Sequence, residues 1–502
     1  MTHQQIKRVV IAGGGTAGWI SAAALSKLLP RSVEITLIES DAIGTVGVGE
    51  ATIPQIRRLN GILGLDENAF VRATNGTFKL GIEFNNWGHK GERYLHTFGD
   101  PGINLANLHF HQYWLRARAE GGNTSLWDYS LHNHVAYSGK FGRMERVGNT
   151  SMTGLAYAFH FDAGLYAAFL RQTAEANGAK RIEGRIVDVA LDGETGHIAS
   201  VQLERGERIE GDLFIDCSGF RGLLIGEALG VDYEDWSHWL PCNRAVAVGC
   251  ERTQPLLPYT KATAHDAGWQ WRIPLQHRTG NGHVFCDSFT TEEAARDTLL
   301  ANLDGAPLGD PKSLRFTTGR RKAFWAKNCV SIGLASGFLE PLESTSIHLI
   351  QSNVSKLIEL FPTMAFAPET IAEYNRQVGH EYELIRDFLI LHYHRTDRED
   401  SEFWRYCKSM SVPESLTAKM ALFAGAGQLY KDPEDLFRES SWVQVMVGQG
   451  LVPGSYHAMA DRLDRDQLQR FLSDVKQIIA KAGAQLPQHA DFIDAYCAAE
   501  AQ

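Results

Sequence analysis

A glycine-rich turn near the start of the chain constrains the fold more than any other feature of the sequence. An apolar run at 7–12 leads into a glycine-rich segment at 13–18, and residues 19–29 then carry apolar side chains at helical spacing. A second apolar run, 33–39, ends in an acid, Glu39. This order of segments predicts a βαβ unit.

The turn fits the G-x-G-x-x-G pattern of a dinucleotide site. Glycines let the backbone approach a pyrophosphate, and the N–H groups at the start of the following helix carry partial positive charge toward it. Glu39 stands near the spacing expected of an acid that holds a ribose hydroxyl. The predicted contacts with this part of the cofactor are Gly13, Gly15, Thr16, Ala17, Gly18 and Glu39.

NAD and FAD share this pattern, and later returns of the chain to the sheet favour FAD. Buried-looking strands at 213–216 and 330–332 are each followed by glycine-containing turns, as in large flavoproteins of the hydroxylase type. A further glycine-containing loop, 46–52, suits the flavin side of the cofactor. The remaining FAD contacts predicted are Val48, Gly49, Glu50, Val187, Leu334 and Ile347.

The predicted fold class is α/β, with a Rossmann-like FAD-binding domain of the hydroxylase type. Its nucleotide-binding elements, 7–50, 182–220 and 327–350, are far apart in the chain, so the domains should interleave. With a β layer at about 234–325 they form a predicted module, 1–350. Residues 351–502 are then a mostly helical substrate-binding region, whose longest candidate helix is 366–394. A small antiparallel meander is expected within 182–216.

Charge and cysteine usage exclude several function classes. The net charge is −10 and no long basic run occurs, so nucleic acid is not an expected partner. Seven scattered cysteines, none in a C-x-x-C pair, indicate reduced thiols and a cytoplasmic protein. No apolar stretch is long enough for a transmembrane helix, so no membrane contact is expected. Three H-x-H pairs (109/111, 132/134 and 392/394) lack a neighbouring third ligand, and no metal site is predicted.

Three ordered motifs make the chain resemble the flavin-dependent halogenases that act on tryptophan and indole. Residues 269–274 match W-x-W-x-I-P, which alone would indicate one face of a half-buried strand. Residues 77–81, T-F-K-L-G, resemble the family's lysine region. Residues 337–347 contain a stretch similar to E-P-L-E-S-T-x-I. The resemblance runs from residue 7 to about 350 and more loosely beyond.

The resemblance implies an enzyme that receives FADH2 from a separate NAD(P)H-dependent flavin reductase. Reduced flavin, oxygen and a halide, bromide or chloride, then yield hypohalous acid, which reaches the substrate through an internal passage. Lys79 matches the lysine that captures or orients this acid, as an ammonium or as a haloamine. Glu343 matches the carboxylate that stabilises the cationic ring and removes its proton. From the residues alone, Lys79 would be a solvated surface lysine and Glu343 a first-turn helix acid.

The same resemblance assigns halide and substrate residues. Backbone N–H groups of Thr345 and Ser346 are expected to hold the halide, although the familiar pattern has glycine at Ser346, where serine narrows the space and restricts positive φ. Predicted to line the substrate site and passage are His96, Phe98, Trp269, Trp271, Ser344 and Trp442.

The stretch 440–446 lacks the tyrosine pair with which free-tryptophan halogenases hold the amino-acid head group. We therefore expect a more open site for indole, a substituted indole or a carrier-bound indole. Trp442 is placed to stack on it or to serve as a packing residue. A homodimer is compatible with the sequence.

Two alternatives remain from the sequence. An FAD-dependent aromatic monooxygenase shares the fold and the oxygen chemistry, but gives no reason for the three motifs to occur together. A non-catalytic flavin-binding protein is consistent with the glycine pattern alone. Halogenated product from FADH2, halide and indole separates halogenation from both.

Overall fold

The computed structural model describes residues 4–43 and 49–500. Its strands, in chain order, are β1 Arg8–Ala12, β2 Glu34–Glu39, β3 Gly49–Ala51, β4 Thr77–Lys79, β5 Gly81–Asn85, β6 Arg93–Thr97, β7 Ala158–Asp162, β8 Lys180–Glu183, β9 Ile186–Leu191, β10 Ile198–Leu203, β11 Arg208–Glu210, β12 Leu213–Asp216, β13 Tyr233–Asp235, β14 Arg244–Glu251, β15 Thr260–His265, β16 Gly268–Pro274, β17 Arg278–Phe285, β18 Lys312–Arg315, β19 Gly319–Arg321, β20 Trp325–Ala326, β21 Cys329–Ser331 and β22 Gly337–Phe338.

The α-helices follow the same numbering along the chain. They are α1 Thr16–Leu28, α2 Ile56–Leu63, α3 Glu67–Ala73, α4 Phe110–Ala119, α5 Leu131–Tyr137, α6 Ala163–Ala176, α7 Glu292–Ala301, α8 Ser346–Glu359, α9 Pro368–His394, α10 Glu402–Ser409, α11 Glu414–Ala426, α12 Glu439–Gly448, α13 Arg465–Ala484 and α14 His489–Tyr496. The long helix expected at 366–394 is α9. None of the described helices is both long and apolar enough to cross a membrane.

The chain folds into two compact units, each assembled from three separate segments. Unit 1 comprises 1–75, 161–237 and 315–383, and unit 2 comprises 76–160, 238–314 and 384–502. The three nucleotide-binding elements expected from the sequence all belong to unit 1. The division into 1–350 and 351–502 stays a prediction.

Unit 1 is built on a six-stranded sheet in the order β20-β21-β12-β1-β2-β8. β1 pairs in parallel with both β2 and β12, so the predicted βαβ unit is present. The apolar run of β1 is buried because helices cover a parallel sheet on its faces. Val10, Ala12, Ile38 and Phe214 belong to one buried cluster of this unit. The expected meander is the antiparallel sheet β11-β10-β9, which leads into β12.

Unit 2 is built on a seven-stranded sheet in the order β18-β14-β17-β16-β15-β5-β6. Its pairings are antiparallel around β16 and β17, and β15 pairs in parallel with β5. The predicted β layer therefore also contains two strands from residues 81–97. β4 and β7 pair with each other in a separate short antiparallel ladder, and Lys79 is the last residue of β4. The predicted α/β class is confirmed by this mixture of sheets and helices.

Candidate functional site

The predicted site residues fall into two groups that follow the two units. Unit 1 holds the glycine-rich turn, the other described FAD candidates and the segment from Glu343 to Ile347. Unit 2 holds the lysine and the predicted substrate residues, which are Lys79, His96, Phe98, Trp269, Trp271 and Trp442.

The glycine-rich turn between β1 and α1 is packed so closely that side chains would clash with neighbouring backbone atoms. Gly13 has a φ of +113° and its amide donates to the Ile38 carbonyl at 2.8 Å. A side chain at Gly18 would place its Cβ only 1.9 Å from the Gly13 carbonyl oxygen. Both positions therefore require glycine, for a left-handed turn and for close packing of helix on strand.

The start of α1 is open toward a ligand. Gly15 is the N-cap of the helix and offers no side chain to cap it, and no acid occupies the first turn. A Cβ built on Gly15 would meet nothing within 4 Å. Backbone donors at such a helix start suit a pyrophosphate. This cradle fits the phosphates of FAD, and Thr16 and Ala17 lie in its first turn.

Glu39 ends β2 directly over the turn. Its Oε2 would lie 1.6 Å from a Cβ placed on Gly14, and Trp19 Nε1 donates to the same oxygen at 3.3 Å. Arg181 donates to the other oxygen at 2.5 Å. The carboxylate is thus held over the nucleotide cradle, where a ribose hydroxyl can bind it.

The other FAD candidates occupy different parts of unit 1. Gly333, beside Leu334, approaches the turn so closely that its Cβ would lie 2.7 Å from that of Ala17. Ile347 is buried in α8, whereas Val187 is half exposed in β9. Gly49 and Glu50 begin β3, and burial raises the pKa of Glu50 to about 7. Val48 lies outside the described residues.

Helix α8 begins two residues after the strained backbone of Ser344. Ser344 has a φ of +59°, and Thr345 is the N-cap of α8 without a side-chain cap. The expectation that serine at 346 restricts a positive φ is wrong, because the residue with left-handed backbone is Ser344. Ser346 is the first residue of the helix. Glu343 is fully buried and precedes the helix, so it is not a first-turn helix acid.

Lys79, which ends β4, is fully buried. Its Nζ lies 5.3 Å from the centre of the Phe98 ring. The Phe98 amide donates to the Leu80 carbonyl at 3.1 Å, so β6 and its extension run alongside the lysine segment. The structure therefore brings Lys79 and Phe98 together, and a solvated lysine is excluded.

An aromatic wall in unit 2 is formed by His96, Phe388, Phe437 and Trp442. The Phe388 and Phe437 rings stack at 3.8 Å, and Trp442 packs edge-on to Phe388 at 4.8 Å. The His96 ring lies 5.6 Å from that of Phe388. Sequence reasoning missed both phenylalanines, since neither occurs in a recognisable motif. All four rings are buried, and their edge-on and stacked contacts are those that aromatic side chains prefer.

A buried ion pair supports this wall. Lys419 and Asp435 lie 3.1 Å apart and are both almost fully buried. Asp435 Oδ2 also accepts from Trp442 Nε1 at 3.1 Å, and Asp435 Oδ1 accepts from the Phe437 amide at 3.0 Å. Burial raises the pKa of Asp435 even beside the Lys419 ammonium. One carboxylate thus holds two members of the wall.

The W-x-W motif lies in the middle of the large sheet of unit 2, on β16. Trp269 and Trp271 point to the same face, and both are buried. The Trp271 ring covers Gly282 of β17, where a Cβ would lie 2.0 Å from it. Trp269 lies 6.1 Å from Trp87. The motif thus belongs to a packed aromatic layer, and its place beside a flavin stays a prediction.

Each of the three H-x-H pairs contains a histidine whose ring nitrogen contacts another group of the protein. His109 contacts Glu439 at 2.8 Å, and His111, His132 and His392 bind backbone carbonyls. Across residues 4–43 and 49–500, no group of three or more histidine, cysteine, aspartate or glutamate side chains could hold a metal ion.

Comparison with known proteins decides the family. The family model for tryptophan halogenases matches residues 8–465. The chain belongs to the tryptophan halogenase family. It is 35% identical to tryptophan 6-halogenase ThaL of Streptomyces albogriseolus, over 89% of this chain and 90% of that protein.

Solved structures agree with this placement. The flavin-dependent halogenase Xcc4156 from Xanthomonas campestris superimposes with a TM-score of 0.96 at 49% identity, covering 99% of this chain and 100% of that one. BrvH, a flavin-dependent halogenase from Brevundimonas sp. BAL3, gives 0.94 at 45% identity, covering 98% and 99%. The protein is therefore a flavin-dependent halogenase, an enzyme of a class that needs a separate flavin reductase.

Proposed function

We propose that this halogenase uses FADH2, O2 and bromide or chloride to halogenate an electron-rich aromatic ring such as indole or an indole derivative. The observation that carries the proposal is the complete burial of Lys79 against Phe98. A lysine is almost never fully buried unless a partner offsets the cost of its desolvation, so the surroundings hold this ammonium group in a defined position. Its position beside the Phe98 ring supports a role at an aromatic substrate.

The glycine-rich turn, Glu39 and the α1 N-terminus are the proposed FAD-binding residues of unit 1. When bound and reduced, FAD would supply the two electrons that activate O2, and the activated O2 would then oxidise the halide to hypohalous acid. The chain's own task is to hold the phosphates at backbone N–H groups and the ribose at Glu39.

We place the halide at the backbone N–H groups of Thr345 and Ser346. The first N–H groups of α8 have no intrahelical partners, and the helix has neither a side-chain cap nor an acid in its first turn. Those donors favour an anion through the same electrostatics that favour phosphate. Serine at 346 retains its N–H and so retains the proposed contact.

Lys79 and Glu343 divide the proposed transfer between them. The Lys79 ammonium holds the oxygen of hypohalous acid by a hydrogen bond and makes the halogen more electrophilic. The carbon–halogen bond forms as the oxygen–halogen bond breaks, and the lysine proton completes water on the departing hydroxide. The ring carbon then loses its proton to the Glu343 carboxylate, which restores aromaticity. A neutral Lys79 amine that carries the halogen as a haloamine gives the same products.

The substrate proposal rests on the aromatic wall. His96, Phe388, Phe437 and Trp442 present ring surfaces to a flat apolar group, and stretch 440–446 has no tyrosine pair for an amino-acid head group. Indole and substituted indoles are therefore the proposed class, either free or carried on a larger molecule. An NAD(P)H-dependent flavin reductase is the proposed electron source. Seven buried free cysteines support a reducing, cytoplasmic location.

The direct test supplies purified protein with FAD, an NADH-dependent flavin reductase, indole and either bromide or chloride. Mass spectrometry of the products should show a halogen isotope pattern on the indole, dependent on halide and on reductase. Hydroxylated indole without halogen would instead favour a monooxygenase. Absence of turnover across an indole panel with both halides would refute the proposed substrate class.

A further inference from the structure

The strand that carries Lys79 is only three residues long and depends on contacts beyond its own ladder. β4 pairs with β7 through Thr77–His160, Phe78–Phe159 and Lys79–Ala158. It lies at the edge of its sheet, so backbone groups on its open side must find partners elsewhere. Two buried histidines supply contacts to β4: His160 from β7 and His489 from the start of α14.

His489 binds the backbone of β4. The Phe78 amide donates to His489 Nε2 at 3.1 Å, and His489 Nδ1 lies 3.1 Å from the Leu256 carbonyl oxygen. An amide can only donate and a carbonyl can only accept, so Nδ1 carries the proton and Nε2 carries none. If Nε2 were protonated, its N–H would face the Phe78 N–H, and the hydrogen bond to β4 would be lost.

His160 binds the side chain of β4 in the same protonation state. Thr77 Oγ1 donates to the Pro274 carbonyl at 2.7 Å and therefore accepts from His160 Nδ1 at 2.8 Å. Thr260 Oγ1 lies 2.9 Å from Nε2, which is left to accept. Burial, the Lys79 charge and the proximity of His489 hold the pKa of His160 well below its ordinary value.

The surroundings keep both rings in place. The His489 ring packs edge-on to Phe78 at 6.1 Å and to Phe141 at 5.9 Å. Charged and titratable groups near the histidines are Lys79 on β4, Arg143 over the Phe78 ring, and Tyr157 beside Phe78. The Lys79 charge adds to burial in opposing protonation of His160, and burial lowers the pKa of His489 to about 4.

We infer that His489 and His160 are positioning residues for halogen transfer: as neutral imidazoles they fix β4, and thereby hold the Lys79 ammonium against the substrate ring. This inference rests on the proposed function of Lys79. A small displacement of a reacting group costs up to about a hundredfold in rate, so a loosened β4 should impair transfer more than earlier steps. Hypohalous acid would still form and would escape unreacted.

The test compares His489→Phe with His489→Gln in the full enzyme with FAD, reductase, bromide and indole. Phenylalanine keeps the ring packing and loses the acceptor, whereas the glutamine amide oxygen can again accept from Phe78. We expect His489→Phe to lower the halogenated product per FADH2 oxidised by roughly tenfold or more, with KM for indole little changed. His489→Gln should restore most of that coupling.

Thr77→Val and Thr77→Ser give a second pair of variants, which leaves the packing of His489 against Phe78 and Phe141 unchanged. Valine removes the hydroxyl that accepts from His160, and serine retains it. Valine should lower the same ratio several-fold, while a dye that traps hypohalous acid should report increased escape. Serine should behave like the parent enzyme.

The outcomes separate this inference from the proposed function. If the parent halogenates indole and Lys79→Met does not, but His489→Phe and Thr77→Val remain fully coupled, the positioning inference is wrong. If His489→Phe fails to fold, the Thr77 pair decides in the same way. If the parent makes no halogenated product, or Lys79→Met still makes it at the parent rate, the proposed function itself fails.

Discussion

The Lys419 ammonium lies 3.8 Å from the centre of the Trp442 ring while it pairs with Asp435. Breaking a buried pair by removing one partner costs about 3 kcal/mol or more, because a buried charge is left uncompensated. Lys419→Met should therefore lower the free energy of unfolding by about that amount, as measured by urea denaturation. It should also raise the KM for indole, because Asp435 then holds Trp442 and Phe437 less firmly.

The double variant Lys419→Met/Asp435→Asn is the control for this prediction. Asparagine removes the uncompensated charge and keeps an oxygen that can accept from Trp442 or Phe437, so the double variant should recover much of the lost stability. A KM for indole that stays at the parent value in the single variant would show that the aromatic wall is not part of the substrate site.

Acid should destabilise the protein well before its ordinary carboxylates are protonated. Burial lowers the pKa values of His132, His283 and His489 to about 4, against 6.5 in the unfolded chain. Between about pH 6.5 and pH 4 these histidines are protonated in the unfolded state and neutral in the folded state. The free energy of unfolding therefore falls as the pH is lowered through this range. Each histidine contributes a loss of roughly 3 kcal/mol at the end of this range.

Protonation of Glu50 has the opposite effect on stability to protonation of these histidines. Its pKa is raised to about 7 in the folded state, so acidification below pH 7 favours the fold at this one group. Three histidines outweigh one carboxyl group, and urea denaturation at pH 7 and pH 5 should show a net loss of a few kcal/mol. His283→Gln should reduce that difference, and equal stability at the two pH values would contradict the assigned shifts.

Local sequence patterns were sufficient for the nucleotide half of the fold. The glycine spacing and Glu39 depend on neighbouring residues in one βαβ unit, so the turn, α1 and β2 could be predicted with their geometry. Helix α9 followed from its apolar periodicity in the same way.

Contacts between distant segments could not be predicted. Phe388 and Phe437 stack, although no period or motif links them, and the Phe78–His489 hydrogen bond joins residues 411 positions apart. A single histidine at the start of a short helix gives no signal of its partner. The left-handed backbone at Ser344 was also missed, because serine does not mark such a position as glycine would.

Glu39 gives a prediction for the cofactor alone. Glu39→Gln weakens the acceptor for the ribose hydroxyl, and loss of a charged hydrogen bond of roughly 1.5–3 kcal/mol should raise the Kd for FAD about tenfold or more. Flavin fluorescence titration measures this without turnover. Glu34→Gln, at the exposed start of β2, is the control and should bind FAD like the parent.

Gly282 tests the packing of the W-x-W motif. A Cβ at this position would lie 2.0 Å from the Trp271 ring, so Gly282→Ala should displace that ring and cost about 1–3 kcal/mol of stability. Gly61→Ala, where a Cβ would meet nothing within 4 Å, is the matched control and should be neutral or stabilising. Unchanged stability and tryptophan fluorescence in Gly282→Ala would contradict the packing of Trp271 described above.

Lys79 is the residue proposed to transfer the halogen to the substrate. The most direct measurement is the amount of halogenated indole formed per FADH2 oxidised by Lys79→Met, with bromide and a flavin reductase present. We expect this ratio to fall to the background of free hypohalous acid, with FAD affinity and halide oxidation kept close to those of the parent enzyme. Halogenated indole formed at the parent ratio by Lys79→Met would show that Lys79 does not transfer the halogen.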